Sequence, residues 1–369
     1  MSNIKKIACI VGTRPEAIKM SPVIQELRRD ESFEVTILAT GQHTDMLKQA
    51  LADFDLTPDF NLNIMRERQS LDYIMSSVLT GAGNFLDEHF QNMILVHGDT
   101  STTFAAALAG FYRNIPVGHV EAGLRSNNIK LPFPEEANRV LTDRIADLYF
   151  APTKGDYENL LRESVKPEKI FITGNTAIDA ILKILKAGKK TSFEIPDTPF
   201  ILMTAHRRES WGDVLKNICA AVLDIINARP DVKFLIPLHK NPAVRDVIKS
   251  ILENRRGNII FTEPLNYNDF VHAMNKSVFI LSDSGGIQEE ASAINKPVLI
   301  MRNLSERPEA IEHGTCILTG TERIKIRENA LKLLNNPDEI KKLAAKNKMP
   351  FGDGTASEKI HEVIKNFWR

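Results

Sequence analysis

Short apolar runs recur along this chain, and nearly every one closes into a loop of glycine, proline or ionisable residues that opens a helix. Ile7 to Val11, Val35 to Ala39, Met93 to Val96, Pro116 to Val120, Leu148 to Ala151 and Ile170 to Thr173 form a first block. Phe200 to Thr204, Lys233 to Leu238, Asn258 to Thr262, Val278 to Leu281 and Pro297 to Met301 form a second. Runs this short and this uniformly apolar read as parallel strands buried on both faces. Strands alternating with helices in two separate blocks predict an α/β fold of two Rossmann-like parallel-sheet domains, with the ligand in the cleft between them at the carboxyl ends of both sheets. At 369 residues the chain has the length for two cores. Between Lys183 and Pro199 it turns to Lys, Gly, Thr, Asp and Pro, which marks the linker. Residues 1–185 are expected to form the first domain and 196–352 the second, nucleotide-binding one. The helix over 355–369 is expected to pack back on the first.

The most informative loop is Ile280-Leu-Ser-Asp-Ser-Gly-Gly-Ile-Gln-Glu-Glu-Ala291, a strand, a small-residue turn and a helix. Ser284 suits a helix N-cap whose hydroxyl accepts from an orphan N–H. Gly285 and Gly286 carry no Cβ, so a ligand can approach the backbone, and the helix N-terminus favours an anion such as a phosphate. Glu290, about a turn and a half further on, is placed to meet sugar hydroxyls. An ordinary capped strand-to-helix turn would look the same, and the other loops decide. Gly12-Thr-Arg-Pro-Glu-Ala-Ile-Lys19 brings Arg14 and Lys19 to the end of the first strand. It lacks Walker glycine and lysine spacing, and no GxGxxG follows, which disfavours a bound dinucleotide cofactor. Asp99 follows the strand ending at Val96, as a helix N-cap or a functional carboxylate; on its own, capping is the better reading. Glu121 follows the next strand, and Glu135 enters the first turn of a helix after a Pro-broken loop. The second block adds His206, Arg207, Glu290 and Arg307. Cations with a glycine turn point to a diphosphate, and carboxylates with a histidine point to acid–base work on what it carries.

Lys+Arg 47 against Asp+Glu 47 gives no net charge, which argues against nucleic-acid or membrane binding driven by bulk charge. Cys9, Cys219 and Cys316 are sparse and form no ligand pair. No cluster has metal-ligand spacing. With no signal-peptide pattern and no long apolar run, these features fit a reducing cytoplasm.

At Gly12-Thr-Arg-Pro-Glu-Ala-Ile-Lys-Met20 the chain resembles the non-hydrolysing UDP-N-acetylglucosamine 2-epimerase family. The resemblance runs on through Val96-His-Gly-Asp-Thr100, Gly118-His-Val-Glu-Ala-Gly-Leu-Arg125, Pro134-Glu-Glu-Ala-Asn-Arg139, Gly174-Asn-Thr176, Ala205-His-Arg-Arg-Glu209, Asp283-Ser-Gly-Gly-Ile-Gln-Glu-Glu290 and Arg307-Pro-Glu309. It implies a GT-B-like pair of domains, no NAD or metal, a homodimer, and work in cell-surface polysaccharide biosynthesis. By match to the motifs, Arg14, Phe270, Ser284, Gly285, Gly286, Glu290 and Arg307 would contact UDP, with Lys19 and His206 near the phosphates or the sugar. Asp99, Glu121, Glu135 and His206 would carry the chemistry. Gln42 and His43 match part of an activator site that some members have, although Asp45 and the Asn127–Leu131 stretch depart from the usual pattern.

The proton at sugar C-2 is not acidic until the C-1–oxygen bond to UDP breaks. The expected reaction is therefore elimination of UDP to 2-acetamidoglucal and re-addition with protonation on the other face. A glycosyltransferase using a UDP-sugar donor, a hydrolysing epimerase, an epimerase of another UDP-amino sugar and a UDP-sugar-binding sensor remain open as alternatives.

Overall fold

The computed structural model describes residues 4–41, 44–66, 69–205, 207, 211–255, 257–305, 307–312, 314, 316–346 and 349–368. It divides into two compact units, Met1–Lys183 with Phe351–Arg369, and Ile184–Pro350.

The first unit carries a seven-stranded sheet built from β1 (Lys5–Val11), β2 (Phe33–Ala39), β3 (Phe60–Asn61), β4 (Met93–His97), β5 (Val117–Val120), β6 (Leu148–Ala151) and β7 (Ile170–Ile172). The second carries a six-stranded sheet of β8 (Phe200–Thr204), β9 (Lys233–Pro237), β10 (Ile259–Thr262), β11 (Ile280–Ser282), β12 (Val298–Ile300) and β13 (Cys316–Leu318). The pairings described in both sheets are parallel. The expected two-block α/β architecture is what forms. The sequence reading contained no counterpart of β3, of β13 or of the long helix Leu71–Glu88. The strand expected to begin at Val278 begins at Ile280.

Strand order positions the chemistry. The first sheet runs β3-β2-β1-β4-β5-β6-β7, and the second β10-β9-β8-β11-β12-β13. Successive strands build outward from β1 in one direction, then the chain returns to lay β4 on its other side; β8 and β11 repeat this. At each such switch point two neighbouring loops leave in opposite directions and open a crevice outside the carboxyl ends of the strands. The loop after β1 starts at Gly12, and the loop after β4 holds Gly98 to Thr100. The loop after β8 holds Arg207, and the loop after β11 holds Asp283 and Ser284. The sequence motifs thus fall at the switch point of each sheet.

The strands are apolar because helices cover both faces. Ile7, Ile10, Leu38, Ile94 and Leu95 are fully buried in the first sheet, as are Ile201, Phe234, Leu281 and Leu299 in the second. The alanine-rich helix Ser101–Phe111 lies close to the sheet, and a Cβ on Gly110 would sit 2.5 Å from Ile94 Cδ1.

The C-terminal segment completes the first unit. The Asn175 N–H donates to the Phe351 carbonyl at 2.7 Å. Gly174 and Gly352 meet backbone to backbone at φ +91° and +105°, where a Cβ on Gly352 would lie 3.0 Å from the Gly174 Cα. Buried Asp179 then caps the helix Ala356–Asn366, accepting from the Ala356 and Ser357 N–H groups at 3.2 and 2.8 Å and from the Ser357 hydroxyl at 2.6 Å. Further along that helix, His361 and Lys365 reach Asp30 at 2.9 and 2.7 Å. Replacing Asp179 with Ala should remove the cap and leave buried donors unmet. The expected loss is about 1–3 kcal/mol of unfolding free energy in a denaturant titration; a change within experimental error would show that the cap is dispensable.

Candidate functional site

In the first unit, ionisable side chains from loops distant in sequence gather at the carboxyl ends of the strands. The loop after β1 is shaped by Glu16. Its Oε2 accepts from the Gly12 and Thr13 N–H groups at 3.0 and 2.6 Å, and its Oε1 from the Thr100 hydroxyl at 2.7 Å. One buried carboxylate therefore ties the loop after β1 to the loop after β4. Burial pushes its pKa up, and these donors act against that shift.

Glu121 stands at the end of β5 with φ +68°, a left-handed conformation uncommon for a residue with a Cβ. Strain of this kind persists where the surroundings over-determine it. Lys19 Nζ lies 2.5 Å from Glu121 Oε2, and Asn175 Nδ2 donates to the same oxygen at 2.8 Å. The Lys19 and Glu121 side chains are only 13% and 10% exposed, so water screens the pair little. His97, the last residue of β4, puts Nε2 3.7 Å from that oxygen. Burial pushes the His97 pKa down to about 3, so its imidazole is neutral, against the opposing pull of Glu121. His97 Nε2 is buried and has no hydrogen-bond partner among the described residues.

Asp99 does not cap the helix that follows it. Thr100 is the N-cap, with its side chain accepting from the Thr103 N–H, and the Asp99 carboxylate is instead paired with Arg139. The capping reading fails because Thr100 is one residue closer to the helix. Asn138 Nδ2 donates to the Asp99 carbonyl at 3.0 Å. Glu135 opens the helix Glu135–Ile145 as expected, partly exposed, one turn before Arg139. Its neighbour Glu136 is buried, accepting from the Ser126 and Asn127 N–H groups and from Arg139.

Beneath these residues His119 donates from Nδ1 toward Asp143 at 2.6 Å and from Nε2 toward the Gly98 carbonyl at 2.8 Å. Arg125 donates to Asp143 at 2.7 Å and to Glu163. The network fixes Gly98, immediately before Asp99.

In the second unit Ser284 sits at the N-cap of the helix Gly285–Ala293, but its hydroxyl makes no cap bond; the Ser284 N–H donates to the Ser282 hydroxyl at 3.0 Å. The local turn is closed by Ser282, so capping does not consume the Ser284 hydroxyl. A Cβ on Gly286 would meet nothing within 4 Å, and one on Gly285 would meet the Arg207 guanidinium at 3.3 Å. The Arg207 N–H donates to buried Asp283 at 3.0 Å, which brings that cation to the helix N-terminus. Glu290 accepts from the Tyr267 hydroxyl at 3.0 Å. Arg307 is paired with buried Glu289 and its N–H meets Ser305. Phe270 is partly buried on the helix Tyr267–Lys276, and Arg14 begins the helix Arg14–Arg28. His206, Gln42 and His43 lie outside the described residues.

The structure thus brings Lys19 to Glu121 and Arg207 to the glycine turn. Sequence reasoning assigned no role to Glu16, His97, Arg139 or Asn175. All four lie inside the quoted motifs, and that was the only signal they gave. Among the described residues no group of His, Cys, Asp and Glu could hold a metal ion, and no helix is long and apolar enough to cross a membrane.

Two parallel sheets, one bearing a glycine turn at a helix N-terminus and one bearing carboxylates, define a GT-B-like α/β protein. At 15% identity and a TM-score of 0.62, a glycosyltransferase from Rickettsia africae shares the fold alone. The family described as UDP-N-acetylglucosamine 2-epimerase matches residues 25–365, and this chain belongs to it. The UDP-N-acetylglucosamine 2-epimerase of Escherichia coli K12 is 45% identical over 98% of both chains. The Bacillus subtilis protein of that name is 46% identical over 97% of this chain and 94% of its own. The Neisseria meningitidis UDP-GlcNAc 2-epimerase bound to UDP-GlcNAc superposes with a TM-score of 0.91 at 44% identity, over 98% of this chain and all of its own.

The buried network yields a prediction. Burial raises the Asp143 pKa, but the charges and hydrogen bonds of His119 and Arg125 outweigh it and hold the carboxyl below its usual value. A depressed folded pKa contributes stability that is present above the unfolded value, about 3.9, and is lost as pH falls through the folded one. Asp143→Asn should therefore lower stability by about 3–5 kcal/mol near neutrality, because it removes the charge that the buried Arg125 guanidinium faces. The gap between the two proteins should shrink below about pH 4, the range of the free carboxyl. A gap that stays constant into acid would contradict the assignment.

Proposed function

We propose that this chain catalyses reversible epimerisation at C-2 of UDP-N-acetylglucosamine, giving UDP-N-acetylmannosamine. The reaction eliminates UDP to 2-acetamidoglucal and re-adds it, without hydrolysis, NAD or a metal. The observation that carries the reading is the gathering of Lys19, Glu121 and Asn175 at the end of β5, in a chain that matches the epimerase family over nearly its whole length. The solved relatives from Neisseria meningitidis, bound to UDP-GlcNAc, and from Methanocaldococcus jannaschii, in complex with UDP-GlcNAc and UDP, support the ligand class.

Ser284, Gly285, Gly286 and Arg207 offer donors and positive charge to the diphosphate, which stabilises it as it departs. Glu290, Phe270, Arg14 and Arg307 complete the nucleotide contacts, and His206 polarises the leaving phosphate or moves a proton. As the C-1–oxygen bond breaks, its electron pair leaves on UDP and a carboxylate takes the C-2 proton. A second group returns a proton to the opposite face. Asp99, Glu121 and Glu135 form the pool, with Arg139 orienting Asp99 and Lys19 with Asn175 orienting Glu121. Lys19 thereby acts on the base more directly than on the phosphates. The protein works as a cytoplasmic homodimer. Exposed Phe111, Tyr112 and Leu141, on or beside the packed helices Ser101–Phe111 and Glu135–Ile145, give such a dimer apolar surface to bury. Gln42 and His43 hold an activating second UDP-N-acetylglucosamine. The product enters cell-surface polysaccharide biosynthesis.

Incubation with UDP-N-acetylglucosamine, followed by chromatography, should give UDP-N-acetylmannosamine at equilibrium. Asp99→Asn, Glu121→Gln and Glu135→Gln should each slow this by about 10²–10⁴-fold with the fold intact, the range for loss of a proton-transfer group. Accumulation of UDP and free amino sugar would mean hydrolysis. Near-normal turnover in all of the variants would overturn the assignment.

A further inference from the structure

Glu121 has two opposed kinds of neighbour. Lys19 and Asn175 donate to Oε2 and favour the ionised carboxylate. His97 does the reverse. The neutral ring carries one proton, and the tautomer with that proton on Nδ1 leaves a lone pair on Nε2. That lone pair is buried, 3.7 Å from Glu121 Oε2, and meets no donor among the described residues. A buried acceptor without a donor is destabilising, so its retention calls for a reason. Facing a carboxylate it has no proton to accept. Facing a carboxylic acid it has one.

We propose that His97 is a positioning residue for Glu121, accepting a hydrogen bond from the protonated form of that carboxyl and so supporting the state that Glu121 enters when it takes a proton from the substrate. The inference rests on the reading of Glu121 as a proton-transfer group. The C-2 proton passes to Glu121 Oε2, on a lone pair that one of its two donors gives up, while the C-1–oxygen pair departs with UDP, and the new O–H turns to His97 Nε2 without further transfer. Re-addition reverses these movements. Among the described residues, the charged and titratable groups facing His97 are Glu121, Lys19 from the helix Arg14–Arg28, and His119 from β5. A group that stabilises the protonated carboxyl raises its working pKa, so removing that group moves the pH limb governed by Glu121 to lower pH.

The test uses the full-length protein with UDP-N-acetylglucosamine, comparing His97→Leu, His97→Gln and Glu121→Gln by deuterium uptake at C-2 across pH and by thermal unfolding. His97→Leu deletes an unmet buried nitrogen, so its melting temperature should hold or rise. Its turnover should fall by about tenfold, the worth of one ordinary hydrogen bond, and its limb should move to lower pH. His97→Gln carries an acceptor oxygen and should recover part of both. A His97→Leu variant with the wild-type rate and limb overturns the proposal. So does one that melts much lower while His97→Gln is equally inactive, the behaviour of a structural histidine. If the wild type shows no exchange, the epimerase reading itself has failed; if Glu121→Gln retains exchange, the reading of Glu121 as a proton-transfer group has failed and the role of His97 with it; exchange abolished by Glu121→Gln with an unmoved His97→Leu limb sinks only the role of His97.

Discussion

An ammonium from a helix and a carboxamide from a loop, far apart in the chain, converge on one oxygen of Glu121. Much of the first unit exists to make this meeting occur. Glu121 needs β5 to place it and a left-handed backbone to aim it. Lys19 needs the loop after β1, which buried Glu16 ties to Thr100 in the loop after β4. Asn175 needs the turn after β7, which the returning C-terminal segment grips at Phe351 and Gly352. An ion pair this enclosed contributes little net stability, since desolvation offsets attraction. What it does is fix where the charge sits, which on the proposed reading orients the carboxylate before the substrate arrives.

The second unit solves a different problem with the same topology. Its switch point between β8 and β11 presents a helix N-terminus without a capping hydroxyl bond, a glycine with open space beyond it, and the Arg207 guanidinium. Such an end is suited to an anion, because unsatisfied N–H groups and the helix dipole point the same way. On the proposed reading, the second sheet supplies donors for a leaving diphosphate and the first supplies carboxylates for a proton.

The sequence disclosed the strands because burial on both faces makes them uniformly apolar, and the loops because ionisable residues stand out against such strands. It did not disclose β3 and β13, which have only Phe60–Asn61 and Cys316–Leu318 to signal them, too little for any periodicity. Asp99 looked like a cap because Asp is a good one; only the backbone shows that Thr100 occupies the position. Asp99, Glu121 and Glu135 were legible as carboxylates at strand ends and a helix start. Their partners were not, because Arg139, Asn175 and Lys19 reach them across the fold. In the sequence His97 only opens the loop after the run Met93 to Val96. Nothing local reveals that its outer nitrogen is left without a donor beside Glu121.

The central claim is that a proton leaves and returns at C-2 as UDP is eliminated and re-added, with neither fragment released. Proton NMR of the protein with UDP-N-acetylglucosamine in heavy water observes this directly. Deuterium at C-2 in both UDP-N-acetylglucosamine and newly formed UDP-N-acetylmannosamine is the predicted result. Bound ligand with an undiminished C-2 proton signal and no second epimer would contradict the account.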